Sequence, residues 1–539
     1  MTSEPHAFLA VDLGAATTSV AALGRVAGAW RLLGSLAVPG GGDPDVAVEV
    51  LVWRLRAADP NLAERLGMGG IGRLDPDLVP RLVVRSHRPP RLAIVAGSQR
   101  TASALTETAG RSGWRTTSAS VETTDPLAMT ALLLDPDVDA IMTGASDPPR
   151  ADERSALREL ATLVAAVAAR RPDIPVLLAG GMAEGLSVFG DIAARPGEVL
   201  LAPASVAGTG GHDGPLAELL LELALPPDDS RRAVGPATQA LADVLERRIE
   251  TVVLGHDASV RVFAAPSAGG VAGHARVAVV PSAAVAPDEP DDSHVDGVIV
   301  WTTVSADRHR LRDQLRELRI APWSDAAGDG AALRMAAARA ALVRLAAHTD
   351  GRDAKLAPDL VLASSGVWSA VPAPAVTLAL VDVLRRPGAS QYALDHARLL
   401  APIGAIPDAD ERRAVLRDIA DDLLAPLGSV VTPAGLRAGR SAGRLVVHAG
   451  GTSTELDLVP GGLELVDLAP GETAVAEFQF RDTVRLGARG RHFAVDVGGG
   501  LAGLLVDLRD VPLRLPDRAD RRRDLLAAWQ GALWAGANT

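Results

Sequence analysis

Apolar and small residues set the rhythm of the chain from its start. Residues 7–13 are apolar except for Asp12, and residues 17–23 alternate. Residues 8–36 therefore predict a strand, a small-residue turn and a second strand. Residues 91–180 then alternate between short apolar runs and helical periodicity. Strands are expected at 91–96, 117–121, 138–143 and 174–179, with helices at 99–111, 126–134 and 151–170. Strands spaced by helices of this length imply right-handed crossovers and a largely parallel sheet. A helix at 235–248 leads into a strand at 250–254. After the Pro-, Ala- and acid-rich stretch 281–294, read as a solvated linker, a second α/β run follows. It predicts strands at 298–303 and 359–363 and helices at 306–318 and 331–348. Beyond residue 428 the period shortens to strands at 444–448, 453–459, 463–468, 473–478, 492–497 and 504–508, closed by a helix at 517–535.

The 539 residues suffice for several domains, and 48% apolar with 22% charged residues is a globular composition. A net charge of −12 argues against nucleic acid as a partner. The absence of cysteine excludes disulfides, thiolate metal sites and a cysteine nucleophile and is compatible with the cytosol. The first residues carry Glu4 and no basic residue, so they do not read as a signal peptide. The longest apolar-rich run, 360–381, holds Pro372 and Pro374 and reads as strand, loop and helix, not a membrane span. A cytoplasmic protein without membrane contact is expected.

Several motifs lead nowhere. The eleven histidines show no metal-binding pair at i, i+4. Gly439-Arg440-Ser441-Ala442-Gly443 spells a nucleophile elbow, but a Pro/Gly loop precedes it and a strand follows where a helix is required. Gly208-Thr209-Gly210-Gly211 fails the dinucleotide pattern, with Asp213 where the third glycine belongs.

Val11-Asp12-Leu13-Gly14-Ala15-Ala16-Thr17-Thr18 carries more chemistry. A buried strand ending in Asp, then glycine and small or hydroxyl residues, then a strand, can cradle phosphate. Glycine admits the anion, hydroxyls and N–H groups donate to it, and the Asp holds Mg2+ through water. Asp12 reads equally well as a turn-former bonded to nearby N–H groups. A similar element, residues 250–260 with Gly255, Asp257 and Ser259, opens the second half, and a turn at Ser364-Ser365-Gly366 follows. This layout resembles that of the actin, Hsp70 and sugar-kinase class of ATPases.

The order of these pieces resembles the MutL/GlmL-like family, the ATPase-fold proteins associated with glutamate mutase. The resemblance spans most of the chain. It rests on Asp12-Leu13-Gly14 with Thr17-Thr18, on 138–147 followed by a helix and 174–180, on 359–367, on 373–382, and on 496–500 through 503–507 to 512–513. It implies an α/β fold with two actin-like halves, 1–249 and 250–427, and a C-terminal β-rich domain, 428–539. It further implies an accessory protein, resembling a reactivase or chaperone, of an adenosylcobalamin-dependent mutase. Its ATP site would comprise Asp12, Gly14, Thr17, Thr18, Gly255, Asp257, Ser259, Ser364, Ser365 and Gly366, with Mg2+ on Asp12.

The chain departs from that family's loops. Ala15, Ala16 and Ser19 stand where the family has Ser, Thr and Lys, and His256 stands where it has glycine. The chain holds a single lysine, Lys355, but coding bias would replace Lys by Arg, so Ser19 is a loss of charge. ATP binding with weak or no hydrolysis is the expectation. The alternative is a nucleotide-independent scaffold with a degenerate site. A small-molecule kinase would need a catalytic base, for which only Asp257 and Asp12 are candidates.

Overall fold

The computed structural model describes residues 6–15, 17–40, 43–68, 74, 78–146, 150–182, 199–202, 214–268, 273–305, 307–321, 328–349, 357–368, 371–437 and 439–534. The chain forms two units. One comprises 1–86, 228–277 and 283–539, the other 87–227 and 278–282.

In the first unit, β1 (Ala7–Leu13), β2 (Thr17–Val26), β3 (Ala29–Pro39) and β4 (Arg81–Arg85) form a sheet of order β3-β2-β1-β4. β1 and β2 are an antiparallel hairpin with Asp12 opposite Ser19, and β4 joins β1 in parallel. The apolar side chains of β1 and β2 pack under the helix Pro44–Ala58, which buries Ala47, Val48, Leu51 and Val52. That helix starts where it does because Asp43 caps the N–H of Asp45 and Pro44 occupies the first turn. The outer edge of the sheet is covered from far along the chain. Asp418 accepts from the Trp30 N–H at 3.0 Å and Asp422 from that of Leu32 at 3.1 Å, both from the helix Ala409–Leu423. Edge N–H groups satisfied in this way are closed to foreign strands.

The second unit carries β5 (Arg91–Ala96), β6 (Arg115–Ser120), β7 (Ala140–Ala145), β8 (Val176–Gly180) and β9 (Val199–Ala202) in the order β6-β5-β7-β8-β9, all parallel. The expected α/β alternation is present. Beyond β5 and β7, the buried carboxylate of Glu153 accepts from Ser98 Oγ at 2.8 Å, Thr101 Oγ1 at 2.7 Å and the Ser146 N–H at 3.2 Å. Burial alone would raise this carboxyl, but bonds from Ser146, Thr101, Ser98 and the Arg150 N–H hold it down at about 2.

The remaining strands lie in the first unit, apart from residues 278–280. β10 (Ile249–Val253), β11 (Ser259–Ala264), β12 (Arg276–Val280), β13 (Leu360–Ser364), β14 (Gly388–Asp395) and β15 (Leu424–Thr432) lie in an eight-stranded sheet. Its order is β12-β11-β10-β13-β14-β15-β21-β18, with β18 (Leu463–Val466) and β21 (Leu504–Asp507). β10 and β11 are an antiparallel hairpin, and β13 joins β10 in parallel. The order β12-β11-β10-β13 thus repeats β3-β2-β1-β4. A hairpin extended by a third strand on one side and a parallel strand on the other, occurring twice, is the actin-like ATPase fold. β16 (Gly443–Ala449), β17 (Thr452–Leu458), β19 (Thr473–Leu486) and β20 (Ala488–Gly498) make a separate antiparallel sheet, the strand-rich C-terminal region. β15 runs through residues 427 and 428, and β18 and β21 belong to the larger sheet, so that region is continuous with the second actin-like half.

Two expectations are corrected. Residues 281–294 are not a solvated linker: Ala283, Ala284, Val285 and Ala286 are buried, and the Val285 N–H donates to the Gly255 carbonyl at 2.9 Å. Residues 298–303 are not a strand. They end the helix Asp292–Trp301, whose start Asp291 caps through the His294 N–H. Val295, Val298 and Trp301 are buried at a three-residue spacing, which outweighs the strand preference of the β-branched run.

A buried charge network fixes the second half. Glu250 on β10 bonds both Arg261 and Arg386, and Asp507 on β21 bonds both Arg385 and Arg509. Asp382 ties Arg509 to Arg339. Among the described residues no helix is long and apolar enough to cross a membrane.

Candidate functional site

Three turns, each at the end of a buried strand, converge within the first unit. In the turn after β1 the Gly14 N–H donates to the Thr17 carbonyl at 3.0 Å. In the turn after β10 a Cβ on Gly255 would lie 2.4 Å from the Ala258 carbonyl oxygen, so only glycine closes it. After β13, Ser365 Oγ accepts from the Val367 N–H at 2.8 Å, and Ser364 Oγ donates to Asp395 at 2.9 Å. Asp12, Gly14 and Thr17 line one cavity with Gly255, Asp257, Ser364, Ser365 and Gly366. Two expected residues lie elsewhere. Thr18 is buried in β2 opposite Leu13, and Ser259 Oγ donates to the Ala283 carbonyl at 2.6 Å. Ala16 and the Gly208–Gly211 run lie outside the described residues.

Asp12, expected to hold Mg2+ or shape its own turn, is paired here with an arginine. Its Oδ2 bonds the guanidinium of Arg398, and the pair is about nine-tenths buried. Arg398 also donates from Nη1 to the Thr17 carbonyl at 3.0 Å and to Thr17 Oγ1. Its backbone has φ +56°, a left-handed conformation that a long side chain keeps only when its surroundings hold it. They do so from both sides. Ser19 Oγ donates to the Ala397 carbonyl at 3.1 Å, and Asp395 accepts the N–H groups of Leu399 and Leu400 at 2.9 and 3.0 Å. Gly14 makes room, since a Cβ there would lie 2.8 Å from Arg398 Nη2. Ser19, where a cation is missing, thus steadies the segment that supplies one.

The opposite wall is also occupied. Asp257 pairs with Arg319 at 2.8 Å, and Arg319 in turn reaches Asp288 at 2.7 Å and the Ala286 carbonyl at 3.0 Å. His256 is 4% exposed and lines the cavity. Burial, with Arg319 and Arg334 nearby, pushes its imidazole down to about 4, so the ring is neutral. Its Nδ1 and the Asp12 Oδ1 are buried without a hydrogen-bond partner among the described residues, polar capacity left for an occupant.

The cavity measures about 70 Å3. That is well short of the roughly 300 Å3 at which ligand pockets begin, and admits a few waters or one small anion. The loops also touch: a Cβ on Gly366 would lie 2.2 Å from Thr17 Oγ1. A nucleotide therefore needs the loops to part. The donor set does not fit a divalent cation. Both lining carboxylates are engaged by arginines, and an ion on Asp12 would face the Arg398 guanidinium.

Arg398 and Arg319 carry no motif, and in the sequence Ser19 reads only as a loss of charge. Ser441 sits in a loop, its Oγ 3.3 Å from the Gly443 carbonyl, and β16 follows it, so no nucleophile elbow forms.

No protein-family model matches the sequence, and no curated protein matches it. Among solved structures, two of an Aquifex aeolicus Ppx/GppA enzyme are 10% and 8% identical to the chain. They cover 69% and 77% of it and 70% and 88% of themselves, each at a TM-score of 0.19. A chain of the PilM–PilN type IV pilus biogenesis complex is 12% identical over 78% of this chain and 99% of its own, at a TM-score of 0.23. Scores this low add nothing to the strand order, which by itself carries the actin-like ATPase fold.

Proposed function

We propose that the protein is an actin-fold accessory protein of the reactivase or chaperone class that binds a nucleotide with little or no hydrolysis, its client an adenosylcobalamin-dependent mutase. The observation that carries the nucleotide reading is the convergence of the three turns on one cavity within the first unit. The client rests on the order of motifs that resemble the MutL/GlmL-like family. Ligand binding acts here by favouring an open cleft over the closed one, and the difference in affinity between the two states is what a partner would read. The engaged carboxylates argue against turnover, because among the described residues both lining carboxylates already pair with an arginine instead of being left to hold a metal. Calorimetric titration with ATP and ADP tests binding. Co-expression with the cobalamin-dependent mutase subunits of the same organism, followed by recovery of mutase activity after hydroxocobalamin poisoning, tests the client. Recovery that needs this protein supports the reading; failure to bind nucleotide and to restore the mutase overturns it.

A second reading, a nucleotide-independent scaffold, is favoured by the 70 Å3 cavity and the Thr17–Gly366 contact. Mutase recovery undiminished without any nucleotide would select it.

A further inference from the structure

We propose that Arg398 stands in for the divalent cation of the cleft, so that a phosphate-bearing ligand binds there without Mg2+. This rests on the nucleotide reading above but concerns a different property of the site. The guanidinium engages Asp12 Oδ2 and places its positive charge beside the carboxylate that a divalent cation would use. It is tethered by Asp12 Oδ2, the Thr17 carbonyl and Thr17 Oγ1. The tether is built from both halves of the fold: β14 and the segment after it bring Arg398, while the β1–β2 hairpin brings its three acceptors.

Three further features point the same way. Arg398 keeps a left-handed backbone, a conformation any replacement by an ordinary residue would also have to bear, and Ser19 and Asp395 hold the segment in it. A Cβ on Gly14 would lie 2.8 Å from both the Arg398 Nη2 and the Thr17 carbonyl oxygen, so the glycine leaves room for the guanidinium as well as closing its own turn. The other carboxylate of the cavity, Asp257, is matched by Arg319, so no acidic pair is left to share an ion. Planar guanidinium donors suit phosphate oxygens as well as carboxylates. When the loops part, Arg398 can exchange the Thr17 contacts for phosphate oxygens while staying on Asp12. A metal carries charge to a phosphate only if it is bound; a tethered arginine is always charged, so the ligand needs no companion ion.

Two measurements on the full chain test this. The first is ATP titration in excess EDTA and again in excess Mg2+. The second is thermal melting of Arg398→Asn and of the Asp12→Asn/Arg398→Asn double variant, with and without Mg2+. Asparagine tolerates the left-handed backbone, and the double variant removes both charges together, so one of the two folds even if the single variant does not. We expect the parent to bind ATP in EDTA within about tenfold of its Mg2+ affinity. We expect Mg2+ to leave the melting of the parent and of the double variant unchanged and to raise that of Arg398→Asn by a few degrees, by binding the released Asp12. Binding of ATP by the parent only when Mg2+ is present overturns the inference and leaves the nucleotide reading standing. No ATP binding under either condition, with Mg2+ stabilising Arg398→Asn alone, overturns the nucleotide reading and leaves the place of Arg398 standing. Failure of Mg2+ to stabilise Arg398→Asn, if that variant folds, overturns the inference.

Discussion

Asp12 and Arg398, separated by 386 positions in the chain, form one buried ion pair at the centre of the cleft. Removing either partner strands a largely buried charge. Asp12→Ala and Arg398→Ala should each cost about 3–5 kcal/mol, and the double variant clearly less than their sum. Denaturant unfolding of the four proteins measures this. Additive losses would mean that the pair does not couple.

Gly366 should tolerate no side chain. Its Cβ would meet Thr17 Oγ1 at 2.2 Å. Gly366→Ala should therefore destabilise by about 1–3 kcal/mol, or force the cleft open. Combining it with Thr17→Ser removes the branched methyl but leaves the hydroxyl, so it should recover little, whereas Thr17→Gly should recover most. Equal rescue by both would show that the clash lies elsewhere.

His256 should make stability depend on pH. Its folded-state value of about 4 lies below the ordinary 6.5, so the unfolded chain binds the proton first. The contribution is full above pH 6.5 and is lost as the pH falls from there to about 4. His256→Gln should flatten the melting temperature across that window relative to the parent. Parallel curves for the two proteins would show that the imidazole titrates alike in the folded and unfolded chain.

Glu153 should act lower on the scale. Its carboxyl is held at about 2 against an ordinary 4.5, so its stabilisation is present above pH 4.5 and fades as the pH drops toward 2. Glu153→Gln should weaken the second unit at neutral pH and reduce the acid sensitivity between pH 4.5 and 3. Hydrogen exchange at Ser146 and Thr101 reports it locally; unchanged protection there would count against the role given to these bonds.

Legibility in the sequence followed the range of the forces at work. The apolar periodicity of β1, β2, β5 and β13 is local, and so were the turns with Gly14, Gly255 and Gly366 that gather around the cleft. The β-branched residues near Val298 misled because the cap at Asp291 and the buried spacing of Val295, Val298 and Trp301 decide a helix together, and neither is visible in the run itself. Residues 283–286 are small and Pro-flanked like a linker, yet they are buried because the second turn needs a neighbour, and Gly255 receives the Val285 N–H. Arg398 was hidden most completely. One arginine in a chain crowded with them carries no pattern, and only the geometry distinguishes it from those that bond surface acids such as Asp482.

The first sheet borrows its finishing contacts from residues made much later. Its edge strand is covered by Asp418 and Asp422, and its only acid is matched by Arg398. A ribosome adding about 5–20 residues per second needs roughly 20–80 s to travel from Asp12 to Arg398. For that interval the nascent β1–β3 meander has an open edge and an unmatched carboxylate. The order of synthesis thus leaves the N-terminal sheet as the segment most in need of shelter, and a shortened chain ending before residue 398 should emerge as a client of the cell's own folding machinery.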